Sequence, residues 1–277
     1  MEQHISSLPL ETICHNLTEV CKEAGAFIRR EAKSFDRSRV EHKGLHDLVS
    51  YVDKETEKLL VTRLKSLWPE VGFIAEEGTE VVFDSQNPPT KGLYWIIDPL
   101  DGTTNFIHSQ PVYAVSVALW QDGQLVVGCV YEVNADECFY GWAGGGAYCN
   151  GTPIRVSGNN LDNSLLATGF PYYDFGRLDD YLAIMREFMI RTRGLRRLGS
   201  AATDLAYVAC GRNEGFFEFN LKPWDIAAGV LLVREAGGTV TGFEGEADFL
   251  FKGDVVSGGA AQPEMLDIIK KIWVKTT

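Results

Sequence analysis

The spacing of apolar residues changes near residue 69, and this change limits the possible folds more than any other feature of the sequence. From Leu10 to Ile28 the apolar residues recur every three or four positions, which is typical of one face of an amphipathic helix. A second helix is predicted from about Asp53 to Leu67, with Asp53 as its cap and Pro69 ending it. Residues 36 to 52, between the two helices, are predicted to form a loop or a hairpin.

After Pro69 the apolar residues form short runs bounded by turn residues, as they do in strands. The runs cover residues 72–75, 94–97, 112–120, 124–133 and 137–142. The turn Gln121-Asp122-Gly123 and the pair Asn150-Gly151 are hairpin signals, so this part is predicted to be largely an antiparallel sheet.

Past about residue 151 the pattern becomes alternating. Helical patterns at about 179–193, 201–210, 225–236 and 263–272 are separated by strand-like runs at 215–219 and 238–242. Such alternation is typical of α/β layers. We therefore expect an N-terminal α+β half over residues 1–150 and a C-terminal α/β half over residues 151–277, packed closely because no linker sequence separates them.

Composition excludes several classes of protein. The chain has 277 residues, with 26 Lys and Arg against 38 Asp and Glu, which gives a formal charge of −12. With 45% hydrophobic residues the chain is not intrinsically disordered. An acidic surface repels nucleic acids and anionic membranes, and no run of Lys or Arg reverses this, so we expect neither as a partner. No signal peptide or membrane span is predicted, and six cysteines without a C-x-x-C pair suit reduced thiols, so we expect a cytoplasmic protein.

The most informative stretch runs from Trp95 to Phe106, with the sequence WIIDPLDGTTNF. An apolar strand is predicted to end at Asp98, where Pro99 interrupts the ladder, and Asp101 follows. Two carboxylates three residues apart at a strand end can converge on one point, and the N–H groups of a following turn can hold an anion. Hard cations together with a phosphate would satisfy both kinds of group.

The residues alone leave alternatives open. An isolated D-x-x-D-G is usually a plain turn, and the acidic residues Glu76, Glu77 and Asp225 near other element ends could cluster by chance in so acidic a chain. The aspartyl-phosphate phosphatases need D-x-D, which Leu100 interrupts. No G-x-S-x-G, Walker A or EF-hand sequence is present.

Four segments carry a resemblance to a known family. WIIDPLDGTTNF and PWDIAAGVLLVREAGG resemble the two signature motifs of the inositol monophosphatase family, while FIAEEG and LGSAATDLAYVACGRNEGFFE resemble its intervening glutamate motif and its substrate-side segment. The similarity runs from about Leu10 to Ile269. It implies an α/β (α+β) fold, a layered α/β/α/β/α sandwich of the inositol monophosphatase and fructose-1,6-bisphosphatase type, with the site between the two halves.

The resemblance also implies a metal centre. Two or three Mg²⁺ ions per active site are expected, with Mn²⁺ able to substitute, and lithium is expected to inhibit. The implied metal ligands are Glu76, Asp98, the backbone carbonyl of Leu100, Asp101 and Asp225.

Three residues are implied to be catalytic: Glu76 beside the metals, and Thr103 with Asp53, which would orient and deprotonate the attacking water. Lys43 resembles the family's loop lysine, although its spacing to the next segment is about one residue shorter than in the animal enzymes.

The implied substrate is a small phosphorylated polyol. The residues expected to contact it are Asp101, Gly102, Thr103, Thr104, Gly199, Ser200, Ala201 and Glu218. Glu218 matches the family's acceptor for inositol hydroxyls, since a carboxylate can accept two O–H donors, whereas its alternative interpretation is a solvated strand residue. The implied reaction is hydrolysis of inositol 1-phosphate by a homodimeric enzyme. A broader sugar-phosphate or histidinol-phosphate phosphatase and a non-catalytic phosphate or polyol binder are the alternatives.

Energetics favour metal-assisted chemistry for such a substrate. Enzymes accelerate phosphate monoester hydrolysis by up to roughly 10²¹-fold, whereas one general acid or base supplies only about 10² to 10⁴. Paired divalent ions about 3.5 to 4 Å apart neutralise the phosphate and stabilise the leaving alkoxide. We therefore predict direct attack by water, without a phosphorylated enzyme intermediate.

Overall fold

The computed structural model describes residues 5, 8–36, 41–42, 48–78, 84, 87–171 and 174–273. Its helices are α1 (Leu10–Ala32), α2 (Tyr51–Leu67), α3 (Thr103–Ile107), α4 (Leu178–Arg191), α5 (Ala201–Ala209), α6 (Pro223–Glu235) and α7 (Gln262–Trp273). All except α3, which was not predicted as a helix, begin and end close to the predicted positions. In the described part of the chain, no helix combines the length and the apolar character that crossing a membrane requires.

The first large sheet has seven strands in chain order. They are β3 (Gly72–Ala75), β4 (Leu93–Asp101), β5 (Ala114–Gln121), β6 (Gln124–Glu132), β7 (Glu137–Trp142), β8 (Gly146–Cys149) and β9 (Thr152–Pro153). Strand β3 pairs parallel to β4 and every other pair is antiparallel, which confirms the predicted sheet. Before it, β1 (Glu41–His42) and β2 (Leu48–Val49) pair antiparallel, within the segment that was predicted to be a loop or a hairpin.

The second large sheet has five strands in the order β11-β10-β12-β14-β13. They are β10 (Leu165–Thr168), β11 (Gly194–Arg196), β12 (Gly215–Glu218), β13 (Thr239–Thr241) and β14 (Val255–Gly258). Strand β10 is parallel to both β11 and β12, whereas β14 is antiparallel to β12 and β13.

The elements stack in five layers. Helices α1 and α2 cover one face of the seven-stranded sheet, α5 and α6 lie between the two sheets, and α4 and α7 cover the far side of the five-stranded sheet. A single buried apolar cluster joins the two sheets through α5 and α6, with Ile96 from β4, Leu205 from α5 and Val255 from β14 among its members. The layered α/β/α/β/α sandwich is therefore confirmed.

Two local predictions were wrong. The N-cap residue of α2 is Ser50 and not Asp53, and Ser50 accepts a hydrogen bond from the N–H of Val52 at 3.1 Å. Asp53, three positions further on, completes the capping box by accepting from the N–H of Ser50 at 2.8 Å. Strand β4 does not end at Asp98 but continues through Pro99 to Asp101. A shift of register between Asp98 and Asp101 marks a bulge, which is where a proline is tolerated within a sheet.

Candidate active site

A cavity of about 360 Å³ opens where the two large sheets and the central helix layer meet. Most of the side chains and backbone positions that the sequence predicts for the site line this one cavity. They are Glu76, Asp98, Leu100, Asp101, Gly102, Thr103, Thr104, Gly199, Ser200, Ala201, Glu218 and Asp225. Lys43 lies outside the described residues, and Asp53 reaches the site through Thr103 instead.

The four acidic residues of the predicted metal centre come from separate places in the chain. Glu76 directly follows β3, and its N–H donates to the carbonyl of Ile97 on the neighbouring strand at 3.2 Å. Asp98 and Asp101 flank the bulge of β4. Asp225 lies in the first turn of α6, where it accepts a hydrogen bond from the N–H of Lys222 at 2.7 Å. Strand ends and helix starts thus bring these carboxylates to one cavity.

Asp101 joins the two halves of the molecule. Its Oδ2 accepts hydrogen bonds from the hydroxyl of Ser200 at 2.6 Å and from the N–H of Ala202 at 2.7 Å. Ser200 is the N-cap residue of α5, so the carboxylate of Asp101 sits at the positive end of that helix. This contact fixes the substrate-side segment against the predicted metal centre.

Thr103 and Asp53 form a second connected pair. Thr103 Oγ1 lies 2.7 Å from Asp53 Oδ1 and 3.0 Å from the carbonyl oxygen of Leu100, and its hydroxyl can donate to either. The other oxygen of Asp53 accepts from the N–H of Ser50 at 2.8 Å and from its hydroxyl at 2.6 Å. Asp53 is only 1% exposed, so α2 holds a buried proton acceptor directly behind Thr103.

Several carboxyl groups in and beside the cavity are buried, and burial raises their pKa values. Burial raises the pKa of Asp98 well above its usual range, and the charges of Glu76, Asp101 and Asp225 raise that pKa further. Burial also raises the pKa of Asp101 to about 6, although its bonds to Ser200 and Ala202 oppose the rise. Burial is likewise the main cause of the raised pKa of Asp53. Groups perturbed in this way are frequent at functional sites.

The donor set fits a hard cation. Carboxylates and a backbone carbonyl are the ligands that Mg²⁺ takes in proteins, and a divalent cation would relieve the mutual repulsion recorded in the pKa of Asp98. Within the described ranges no group of three or more His, Cys, Asp or Glu side chains is arranged so that it could hold a metal ion.

The side chain of Glu218 is buried and lines the cavity, so it is not a solvated strand residue. It ends β12, is 7% exposed, and its pKa is raised well above the usual range by burial. Its carboxyl group occupies the space beside Gly169, where a Cβ atom would come within 2.0 Å of Glu218 Oε1. The absence of a side chain at residue 169 therefore makes room for Glu218.

Several residues that line the cavity were not predicted from the sequence, among them Gly169, Arg197 and Asp204. The signal for Asp204 was an aspartate within the otherwise apolar helix AATDLAYVA, since a buried helix rarely carries a carboxylate without a reason. Arg197 directly precedes the predicted substrate-side segment and stacks over the ring of Phe170, with 5.5 Å between the guanidinium carbon and the ring centroid.

Comparisons with known proteins agree with this geometry. The inositol monophosphatase family model matches residues 10–275. An inositol-1-monophosphatase from Mesorhizobium japonicum is 41% identical over 258 residues, covering 92% of this chain and 95% of the relative. The protein named Nus factor SuhB from Pseudomonas aeruginosa is 42% identical over 240 residues, covering 86% of this chain and 88% of the relative.

A solved structure of the same family also matches this fold. The structure of an inositol monophosphatase from Anabaena (Nostoc) superposes with a TM-score of 0.82 at 34% identity, covering 95% of this chain and 97% of that chain. The match of sequence and fold extends over nearly the whole described molecule. The chain belongs to the inositol monophosphatase family.

Proposed function

We propose that this protein is a Mg²⁺-dependent phosphoric monoester hydrolase whose preferred substrate is inositol 1-phosphate. The observation that carries the proposal is the convergence of Glu76, Asp98, Asp101 and Asp225 on one cavity that also contains the start of α3 and the polar wall at Glu218. A phosphate group bound among so many carboxylates requires intervening cations, because like charges in a buried site repel strongly.

Glu76, Asp98, the carbonyl of Leu100, Asp101 and Asp225 would hold two or three Mg²⁺ ions, for which Mn²⁺ can substitute. The bound ions would supply the positive charge that neutralises the phosphate and makes water a stronger nucleophile at neutral pH. Asp101 is held by Ser200 and Ala202, so it is already oriented for this role.

Thr103 and Asp53 would activate the attacking water. A water that donates a proton to Thr103 Oγ1 lets that hydroxyl pass its own proton to Asp53 Oδ1, 2.7 Å away. Asp53 can accept a proton only when it is ionised, and its two bonds from Ser50 favour that form. The N–H groups of Gly102 and Thr103, with Thr104 beside them, would hold the phosphate. Water then attacks the phosphorus directly, and no side chain becomes phosphorylated.

The leaving alcohol would lie against Gly199, Ser200, Ala201 and Glu218. A buried carboxylate is an acceptor that suits several hydroxyl donors, which favours a polyol over an apolar alcohol. A broader sugar-phosphate or histidinol-phosphate phosphatase is the second enzymatic candidate, because the metal centre does not select the leaving group.

The proposal is tested by measuring phosphate release with Mg²⁺ from inositol 1-phosphate, glycerol 2-phosphate, histidinol phosphate and fructose 1,6-bisphosphate. We expect inositol 1-phosphate to give the highest kcat/KM. In Asp98→Asn we expect kcat/KM to fall by about 10³-fold or more, since even one lost electrostatic contact at a reacting centre costs about 10² to 10³. Asp248→Asn is the control, because that carboxylate is exposed and outside the cavity.

Absence of turnover with all four esters would instead favour a non-catalytic phosphate or polyol binder. The clustered carboxylates argue against that alternative, because a binder without metal gains nothing from groups that repel its anionic ligand. We also propose, from family membership, a cytoplasmic homodimer that lithium inhibits.

A further inference from the structure

Asn105 is a polar residue of α3 that does not line the cavity and has no role in the proposed mechanism. Its side-chain nitrogen Nδ2 donates hydrogen bonds to the carbonyl oxygens of Val112 and Leu198, each at 2.7 Å. Because both partners are acceptors, only the NH₂ end of the amide can face them, and these two bonds use both of its protons. One side chain therefore joins α3 to two other parts of the chain.

The two carbonyl groups belong to segments on different sides of the candidate active site. Val112 lies seven residues after Asn105, between α3 and β5, whereas Leu198 lies 93 residues away, between β11 and α5. Leu198 directly precedes Gly199, the first residue of the segment proposed to contact the leaving alcohol. The bond from Asn105 to Leu198 therefore links that segment to the turn proposed to bind phosphate.

The backbone of Gly199 packs closely against the same amide group. A Cβ atom on Gly199 would come within 2.9 Å of Asn105 Nδ2, and one on Gly102 would lie 3.2 Å from the carbonyl oxygen of Gly199. These three residues have no room for an additional side-chain atom between them. The place of Gly199 relative to α3 therefore depends on the side chain of Asn105.

A second contact joins the same two segments, but it involves a charged group. Asp101 accepts hydrogen bonds from the hydroxyl of Ser200 at 2.6 Å and from the N–H of Ala202 at 2.7 Å. Asp101 is also a proposed metal ligand, so its carboxylate has to serve two purposes. Asn105 is uncharged, and it holds the same segment without using any group of the proposed metal centre.

We propose that Asn105 is a positioning residue that fixes the leaving-group segment, residues 199–201, relative to the turn proposed to bind phosphate. This inference rests on the proposed function. A phosphate ester extends over both regions, so the bond to be broken is aligned with the attacking water only when their separation is kept. Asn105 acts through Leu198 and does not touch the substrate.

Removing the amide group should affect substrates unequally. In Asn105→Ala the carbonyl groups of Val112 and Leu198 lose their donor, and residues 199–201 are no longer held in place. The phosphate turn keeps its own support, because the hydroxyl of Thr103 remains close to Asp53 Oδ1. Inositol 1-phosphate loses aligned contacts to its hydroxyls, whereas the leaving group of phenyl phosphate has no such contacts to lose.

The test compares kcat and KM for inositol 1-phosphate and phenyl phosphate, with Mg²⁺, in the full chain. For Asn105→Ala we expect the ratio of the two kcat/KM values to fall about tenfold, since a misplacement of about 1 Å at a reacting centre can cost about 10²-fold. Partial unfolding lowers both values equally and leaves the ratio unchanged. Alanine is preferred to aspartate because a new carboxylate beside the acidic cavity would add an effect of charge.

The matched control is Asn150→Ala. The side chain of Asn150 also bonds two backbone groups, accepting from the N–H of Cys138 at 2.9 Å and donating to the carbonyl of Asp136 at 3.2 Å. Asn150 lies outside the cavity. This variant should lose stability, while its ratio of kcat/KM values stays at that of the wild type.

Amide hydrogen exchange without substrate tests the link itself. In Asn105→Ala the segment 198–204 should exchange about fivefold faster than in the wild type, the effect of about one lost neutral hydrogen bond. The start of α2 should exchange at the wild-type rate. Asn105→Ser is the second variant if Asn105→Ala does not fold, because a single hydroxyl donor cannot serve both carbonyl groups at once.

Several results would overturn the inference. They are a ratio within about threefold of wild type, unchanged exchange over residues 198–204, and failure of both Asn105 variants to fold. If the wild type hydrolyses both esters and the variant loses activity equally towards them, only this inference falls. If the wild type hydrolyses neither ester, the proposed function is overturned and this inference with it.

Discussion

At the scale of single residues, the cavity depends on a missing side chain as much as on its carboxylates. Gly169 lines the cavity, and its carbonyl accepts a hydrogen bond from the hydroxyl of Tyr181 at 3.2 Å. Its backbone is therefore held while Glu218 fills the space where a Cβ atom would be. A glycine here makes room for a neighbouring functional group and is not required for a turn.

We predict that Gly169→Ala raises KM for a polyol phosphate by about tenfold, because the new methyl group displaces the carboxyl of Glu218. The melting temperature should change little, since only the end of one side chain has to move. Gly158→Ala is the matched control, because a Cβ atom there meets open space. Steady-state kinetics that give the two variants the same KM would contradict this assignment.

Single residues also show what the sequence could predict. The spacing of Asp98 and Asp101 at a strand end predicted that they would lie close together, and both line the cavity, while their role as metal ligands stays a prediction. The place of Asp204 was not predictable, because its burial in the cavity depends on how α5 packs against the elements around it. Sequence spacing contains no information about that packing.

At the scale of elements, the residue that caps the start of α2 also supports Asp53, the proposed base. Ser50 donates its hydroxyl proton to Asp53 Oδ2 and accepts from the N–H of Val52. The bond from Ser50 lowers the pKa of Asp53, against the effect of burial. One serine therefore contributes to helix stability and to the ionisation of the proposed base.

We predict two effects of Ser50→Ala. Loss of the cap should cost about 1 kcal/mol, or a melting temperature lower by about 2 to 4 °C. The pKa of Asp53 should rise, so activity that needs its ionised form is lost at a higher pH as the pH falls, and the acid limb of the kcat/KM profile moves upward. Ser66→Ala near the end of the same helix is the control, since its hydroxyl bonds only the carbonyl of Arg63. An unshifted acid limb would show that Asp53 is not the titrating group.

The start of α3 depends on the backbone of Gly102, which adopts φ +98°. A Cβ atom there would lie 2.9 Å from the carbonyl oxygen of Val112 and 3.2 Å from that of Gly199. Gly102→Ala is predicted to lose about 1 to 3 kcal/mol of stability and most of the activity, because both backbone strain and close contact act on the turn that is proposed to bind phosphate.

Gly123→Ala provides the comparison for that variant. Gly123 has φ +92°, and a Cβ atom there would meet open space, so this variant suffers the backbone strain without the contact. Urea unfolding of both variants isolates the contribution of the close approach. Equal losses of stability would mean that the packing of Gly102 against Val112 and Gly199 contributes nothing.

Long elements were easier to predict from the sequence than short ones, because their apolar spacing recurs more times. The 23 residues of α1 show their apolar face clearly, and its predicted start at Leu10 is confirmed. Strand β11 has three residues and β10 has four, too few to show alternation, so neither was predicted. The continuation of β4 past Pro99 was also missed, because a bulge depends on the partner strand β5.

At the scale of the whole molecule, the fold concentrates negative charge where the chemistry is proposed. Six carboxyl side chains and only two cationic side chains line the cavity, within the part of the chain that the structure describes. The overall charge of −12 was readable from the composition. The gathering of the carboxylates was implied only by the family resemblance, because the acidic residues meet only when two sheets pack on a shared helix layer. Carboxylates gathered in this way repel one another, so the stability of the metal-free protein should depend on pH.

We predict that the metal-free protein loses stability as the pH rises from about 4 to 6. The pKa of Asp101 is raised from 3.8 to about 6 in the fold, and that of Asp98 is raised as well. In this range the folded state keeps protons that the unfolded chain has released, so the free energy of unfolding falls with increasing pH. Asp101→Asn has no carboxyl to titrate, and its melting temperature should fall less steeply over the same range, measured with a chelator present.

Magnesium should reverse this loss at pH 7, because it binds the ionised carboxylates and only the folded chain gathers them. At about 100 times the dissociation constant the gain is about 2.7 kcal/mol, or roughly 5 to 10 °C in melting temperature for a chain of this size. Asp101→Asn should gain less, since it has lost one proposed ligand. Equal gains for both proteins would remove Asp101 from the metal centre, and a wild-type melting temperature that does not respond to magnesium would leave the proposed function without its cofactor.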